Sequence, residues 1–453
     1  LKLDKKIKPM NKKLFFVFAI IPFFALAQHT IKGKFPNTDD FKFAFLYQVT
    51  TQTSKFVNNA EIKEDGSFSF TLDKNQPAGT YRIVYNQPQD RYNFDFLYNN
   101  EDIELTYDFD NGLTFIKSEE NKLWNSYNKS IQLVANSLNN FYLKGENNEE
   151  DFNKIIQILQ NTQSEFEKAA EGKMALNFIT ASKPYIPTKY VDAKTFSELA
   201  KAEYFDHINF SNPILQNSNF LIEATLNYIF NFIDQDQANA SYIKNIDTAV
   251  KAIGNNPKVK KVILEVLYSQ FAYENIEPVA NHIATKYLLD IAKADNDKEL
   301  IKDLTNFKNA SIGHKGYNFD IVIYDENGKA TVKKMHDLDE ANTYLIVFWS
   351  TTCSHCLEEI PQLHNYVKTI DQKQLKVIAV ALDEDRYRWK DMTYDFQEFY
   401  HVFGEGKWDN QIGNNYNVKA TPSYFILDKD KVIIKKPYDF EAFKDYFSKT
   451  LEE

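Results

Sequence analysis

Cysteine is almost absent from this chain: two occur in 453 residues. That excludes the disulfide framework of many exported domains, which carry several bridges closing wide loops. No long basic run occurs after residue 27, and the formal charge is −10. A concentrated positive face for nucleic acid is therefore missing. Methionine-rich and histidine-rich tracts are missing as well, with only 4 Met and 8 His in all. Beyond residue 27 no stretch is long and apolar enough to span a bilayer. What the chain does have is apolar and aromatic bulk. Hydrophobic residues make up 43%, including 37 Phe and 27 Tyr, enough to fill several cores. The length suggests about three domains at roughly 150 residues each.

The two cysteines stand three apart, Cys353-Ser354-His355-Cys356, directly behind the apolar run from Tyr344 to Trp349. Random placement gives that spacing in about 450 of ~102,000 pairs, so chance accounts for it poorly. If a helix begins at the first cysteine, the second lies one turn further along the same face. The first sulfur then meets unpaired backbone N–H groups at the positive helix end, which favours thiolate over thiol. The second is close enough to attack a mixed disulfide and release its partner. A bridge closing two intervening residues removes little chain entropy, so it stabilises a fold only slightly. The pair predicts electron exchange.

The amino end carries an export pattern. Met10-Asn11-Lys12-Lys13 is a short positive region, Leu14 to Ala27 is a 14-residue apolar stretch, and Ala25-Leu26-Ala27 is a small-x-small cleavage pattern. A signal peptide over residues 1–27 and a mature start at Gln28 are expected, with Leu1 to Pro9 reading as upstream sequence. The alternative is an uncleaved anchor, though the apolar stretch is short for a span. Gln28 is no lipoprotein acceptor, since that attachment needs cysteine. Cleavage removes six Lys and one Asp, a net five positive charges, taking the formal charge from −10 to −15. The mature protein is expected to be soluble, without a stable membrane span, and periplasmic or otherwise extracytoplasmic.

The rest divides by pattern. Residues 28–117 alternate with period two over seven stretches, with Asp65-Gly66 and the weaker Asn111-Gly112 as hairpin signals. This predicts an all-β domain, sandwich-like or an open barrel, whose aromatics pack the core or else line a ligand groove. Residues 118–310 switch to helical spacing, as in Phe152, Ile155, Ile156 and Leu159, punctuated by prolines near helix starts. The cluster Tyr204-Phe205-Asp206-His207 reads as packing rather than as a ligand set. Residues 311–453 alternate strand and helix: a hairpin around Asp325-Glu326-Asn327-Gly328, a buried strand to Trp349, a helix from Cys353, and another buried strand, Leu375 to Leu382. Arg388 to Tyr400 reads as helical, then come two late strands and a closing helix from Phe440.

In this last segment Phe348-Trp349-Ser350 precedes Cys353, and Glu359, Pro361 and Leu363 follow Cys356. Val377-Ile378-Ala379-Val380 forms the next strand. Tyr416 to Asp428 places Thr421-Pro422 directly ahead of another. Together these residues resemble the extracytoplasmic TlpA/ResA-like group of thioredoxin-fold thiol–disulfide oxidoreductases. The upstream β-rich and helical regions resemble, more loosely, accessory regions of envelope proteins in Gram-negative bacteria. The resemblance implies an exposed nucleophile at Cys353, a buried resolving thiol at Cys356 and a proton-moving carboxylate at Glu359. It implies a cis bond before Pro422, with Trp349, Thr421 and Pro422 facing an incoming chain. His355, if protonated, adds positive charge near Cys353; exposed and neutral, it does nothing. Val347 stands where many thioredoxins bury an Asp, and Thr352 where a Trp often precedes the first cysteine. Leu357 after Cys356, rather than His, argues against haem attachment.

The expected function is reduction or exchange of disulfides in exported proteins. It needs no cofactor or metal beyond the redox-active Cys353–Cys356 pair, and it draws electrons from a membrane thiol donor. A second class stays open: a metallochaperone binding Cu(I) through Cys353 and Cys356 with His355 or His364. In a third, the upstream two-thirds deliver the redox domain to a target.

Overall fold

Alternation of apolar and polar side chains builds the amino-terminal part of the molecule. The computed structural model describes residues 29–36, 41–51, 53–73, 75–108, 112–145, 147–324 and 327–452. The expected signal segment, residues 1–27, lies outside them, as does Asn111. Eight strands form: β1 (His29–Lys34), β2 (Phe43–Val49), β3 (Ser54–Glu61), β4 (Ser67–Leu72), β5 (Gly79–Val84), β6 (Asn93–Tyr98), β7 (Ile103–Asp108) and β8 (Gly112–Lys117). One sheet has the order β4-β1-β7-β8 and the other β3-β2-β5-β6. In β4, Phe68, Phe70 and Leu72 point inward and the residues between them outward. A single core joins the inner faces of both sheets, so the fold is a sandwich. Gly33 is required where β1 crosses Phe68, because a Cβ there would lie 2.0 Å from the ring. The Asp65-Gly66 turn forms as expected: Gly66 has φ 83 and Asp65 Oδ1 accepts the Ser67 N–H at 3.0 Å.

The described residues pack as two compact units, the first ending at Thr180 and the second beginning at Ala181. The helical stretch expected as one region, 118–310, is therefore shared between them, and specific hydrogen bonds explain why. Helix Glu119–Leu143 is tied to the sandwich by Asn121, whose amide accepts the Leu97 N–H at 2.8 Å and donates to the Leu97 carbonyl at 2.6 Å. Helix Glu149–Ala169 packs against it, with Tyr127 donating to Gln163 at 2.9 Å. Glu120 accepts the backbone N–H groups of Met174 and Ala175, which draws the chain up to residue 180 into the first unit.

In the second unit, helices between Ala193 and Asn309 precede the α/β part. Glu277 is buried and accepts both the Lys436 ammonium at 2.6 Å and the Ile312 N–H at 2.7 Å, joining the two parts. Tyr204 and Phe205 pack among Phe210, Tyr228 and Phe232 while His207 is exposed, which is the packing arrangement. The α/β part opens with the hairpin β9 (Asp320–Tyr324) and β10 (Ala330–Lys334). A five-stranded sheet follows, made of β11 (Thr343–Trp349), β12 (Leu375–Asp383), β13 (Tyr400–Glu405), β14 (Ser423–Asp428) and β15 (Ile433–Lys435). Its order is β13-β12-β11-β14-β15. Strands β11, β12 and β13 run parallel, β14 pairs antiparallel with β11, and β15 pairs antiparallel with β14. Helices Ser354–Val367 and Phe440–Glu452 share one core with the sheet.

Two elements differ from expectation. The helix expected over Arg388–Tyr400 covers Arg386–Thr393 and gives way to β13, and β8 is an eighth strand beside the seven expected. Among the described residues no helix is long and apolar enough to cross a membrane.

Candidate functional site

At the end of β11 the chain leaves the sheet through Ser350-Thr351-Thr352 and enters helix Ser354–Val367 at Cys353. Asp383, at the end of the neighbouring parallel strand β12, fastens this loop. It is buried, and it accepts the Ser350 hydroxyl at 2.9 Å and the Thr351 N–H at 2.8 Å. The Cys353 N–H in turn bonds the Ser350 carbonyl at 3.2 Å.

Cys353 is the N-cap of the helix. Its sulfur accepts the Cys356 N–H at 3.2 Å, one of the donors a helix start leaves unpaired. The Cys353 thiol donates to the Thr421 carbonyl at 3.2 Å, and Thr421–Pro422 is a cis peptide bond. Strand β14 begins directly after it and runs antiparallel to β11, which brings this loop to the cysteine end of the sheet. Cys353 is partly exposed, Cys356 is fully buried, and both are free thiols. Burial, and then hydrogen bonding with the Cys353 sulfur, pushes the Cys356 thiol up to about 12. One sulfur is thus accessible and the other hidden one turn away.

Glu359 lies on the next turn of the helix, half-buried. Its Oε2 accepts the Tyr424 hydroxyl at 2.7 Å and the Phe440 N–H at 2.9 Å. His355 is exposed in the dipeptide between the cysteines.

Comparison with known proteins agrees with this geometry. Residues 341–433 match a family described as thioredoxin-like, and residues 29–124 match a domain of unknown function, DUF4369. The thiol-disulfide oxidoreductase ResA of Bacillus cereus is 28% identical over 126 residues, covering 28% of this chain and 68% of the relative. ResA of Bacillus thuringiensis subsp. konkukian is 28% identical over 149 residues, 32% of this chain and 82% of the relative. A solved thioredoxin-like protein from Bacteroides caccae aligns at 20% identity with a TM-score of 0.39, over 58% of this chain and 96% of that one. The carboxy-terminal third of this chain thus holds a thioredoxin-like domain, similar to the ResA thiol-disulfide oxidoreductases.

Within this thioredoxin domain the structure gathers Cys353, Cys356, Glu359, Thr421 and Pro422 around one end of the sheet. Trp349, expected to face a substrate, instead packs in the buried core that Cys356 shares. It is fully buried, in the same cluster as Leu345 and Val347, because residues two apart on β11 share a face and this face is the inner one. His364, considered as a copper ligand, is also placed elsewhere. It faces the core two turns beyond Cys356, paired with Glu398 and edge-on to Phe396 and Phe399. Among the described residues no group of three or more His, Cys, Asp or Glu is arranged to hold a metal. Asp383 and Tyr424 were not singled out from the sequence. The one available signal was the polar residue closing the apolar run of β12, and it says nothing about which loop Asp383 holds.

Proposed function

We propose that this protein is a thiol–disulfide oxidoreductase of the cell envelope that reduces or exchanges disulfides of exported proteins. One observation carries the reading. A partly exposed sulfur caps a helix and faces the Thr421–Pro422 loop, with a second, buried thiol one turn behind it. Cys353 attacks a substrate disulfide in line, forming a mixed disulfide and expelling one substrate thiolate. The Cys356 N–H points at the sulfur on which negative charge sits before attack. The backbone of Thr421 and Pro422, half-buried beside that sulfur, is the surface against which an incoming chain is laid. Cys356 then attacks Cys353, the second substrate sulfur leaves, and the cysteines close into a disulfide. Two electrons pass to the substrate through the sulfurs themselves, so the exchange requires no bound cofactor. Return to the dithiol takes two electrons from an external donor, in this reading a membrane thiol relay.

The test is trapping. Cys356→Ser removes the resolving sulfur and leaves the attacking one, so envelope proteins are expected to accumulate as mixed disulfides on Cys353. These are visible as thiol-sensitive bands on non-reducing gels. A variant that traps nothing, alongside a wild-type protein unable to reduce insulin, sinks the reading.

A further inference from the structure

Two exposed aromatic side chains stand at the cysteine end of the five-stranded sheet. Trp408 is 53% exposed and Tyr387 is 86% exposed. The loops that carry them leave β13 and β12, which lie on the opposite side of β11 from the Thr421–Pro422 loop. Asp383, the last residue of β12, stands opposite Glu405, the last residue of β13, so the two strands end level. Asp383 also holds Ser350 and Thr351 ahead of Cys353. In the order of the strands, this end of the sheet therefore carries Trp408, Tyr387, Cys353 and Pro422.

The turn that raises Trp408 is built against backbone preference. Gly406 has φ 91, and Lys407 has φ 48, a left-handed conformation that strains a residue with a side chain. Hydrogen bonds hold it there. The Asp409 N–H donates to the Gly406 carbonyl at 2.9 Å, and the Asn410 amide donates to the Glu405 carbonyl at 3.1 Å. The Lys407 ammonium reaches Glu384 at 3.7 Å and ties the turn to the loop that follows Asp383. An indole this exposed adds little to the fold, so the strained turn serves to present it.

The charges of the two loops are largely matched within them. Lys407 faces Glu384, and Arg386 faces Glu405 at 3.9 Å while lying 4.9 Å over the Phe403 ring. Asp385 accepts the Tyr387 and Arg388 N–H groups at 3.0 Å each. The exposed Asp409 carboxylate adds one negative charge, which disfavours an acidic chain. What this surface offers is two rings, suited to an apolar or aromatic side chain. Adjacent strands lie about 4.8 Å apart, so β13 is about 10 Å from β11, and an extended chain covers that distance in about three residues.

We propose that Trp408, with Tyr387, selects the substrate by taking an apolar or aromatic side chain about three residues from the reacting cysteine of an extended chain. The inference rests on the disulfide-exchange reading above and names the substrate class of that site. A chain laid against Thr421 and Pro422 runs on across the ends of β12 and β13 to reach the two rings. Folded proteins keep most such side chains inside, so the class is exported chains that have not finished folding.

Synthetic peptides with one cysteine, held as a mixed disulfide with thionitrobenzoate, test this on the reduced full-length protein. Cys353 attacks the peptide sulfur, a Cys353–peptide disulfide forms, and coloured thionitrobenzoate leaves with the electron pair of the broken S–S bond. The peptides differ only in carrying Phe or Gln at the stated spacing on either side of the cysteine. With the wild type the Phe peptide is expected to react roughly tenfold faster than the Gln peptide at equal concentration. Trp408→Ala is expected to bring that ratio within about twofold, and Trp408→Phe to restore most of it. The ratio is the readout because a packing defect in the turn slows both peptides alike and leaves it standing. A ratio that Trp408→Ala leaves unchanged, or a wild type that reacts equally with both peptides, overturns the assignment. A wild type that releases thionitrobenzoate from neither peptide overturns the exchange reading instead, which tells the two failures apart.

Discussion

Asp383 fastens the loop that leads to the nucleophile. It is buried, and its two oxygens hold the Ser350 hydroxyl and the Thr351 N–H, the two residues that lead toward Cys353. Asp383→Ala leaves the buried Thr351 N–H without its acceptor and the Ser350 hydroxyl with only the Thr352 hydroxyl at 3.0 Å, at about 1–3 kcal/mol of stability. It also frees the loop that aims Cys353, so alkylation of that thiol should slow or lose its uniformity. Denaturant titration together with the rate of iodoacetamide labelling checks both effects, and unchanged values in the two measurements refute the assignment. Asp383 was invisible in the sequence for a physical reason: it lies 33 positions from Ser350, and only the pairing of β11 with β12 brings them together. Tyr424 and Glu359, 65 positions apart, met the same obstacle. The cysteines and Thr421-Pro422 were legible because their spacing and neighbours already state the local chemistry. Trp349 was misjudged because its position beside the loop is local, whereas the direction it points is set by the pleat of β11.

At the scale of elements, legibility followed burial. Strands with a fully buried face, such as β4 and β11, announce themselves by alternation or by a continuous apolar run. The two strands missed, β8 and β13, are both edge strands. In β8 only Phe115 is buried, and four of the six residues of β13 are half-buried, so neither presents a clean period of two. The active-site helix was expected to begin at Cys353, and the structure makes that residue its cap. His355 sits exposed in the first turn, one residue before the resolving cysteine. A cationic imidazole there favours negative charge on the neighbouring sulfur and hence the reduced form of the pair. His355→Ala is then expected to move the midpoint potential more negative by on the order of 10–30 mV. Equilibration against glutathione measures it. A potential that stays put means the imidazole brings no charge to the pair.

For the whole molecule, ion pairs that are buried or half-buried tie elements of the second unit together beside the apolar packing. Glu277 with Lys436 joins the helices to the α/β part, and Asp247 joins helix Ala238–Ile253 to the segment Glu277–Leu288. Asp247 receives Lys286 at 2.8 Å, His282 at 2.7 Å and the Tyr287 hydroxyl at 2.6 Å. Burial raises its carboxyl, but the hydrogen bonds from Lys286, Tyr287 and His282 outweigh it and bring the group down to about 2 from an ordinary 3.8. A carboxyl depressed by folding stabilises the native state at pH values above its unfolded pKa. That contribution fades as the pH falls from about 4 toward 2, and below 2 it is gone. The depression alone corresponds to about 2.4 kcal/mol, and with about a third of the side chain exposed, solvent screening reduces it to about 1 kcal/mol. Asp247→Asn should therefore lower stability by about 1 kcal/mol at neutral pH and by little near pH 2, as read by denaturant titration across that range. A loss of equal size at both ends would assign Asp247 a packing role and remove the electrostatic one.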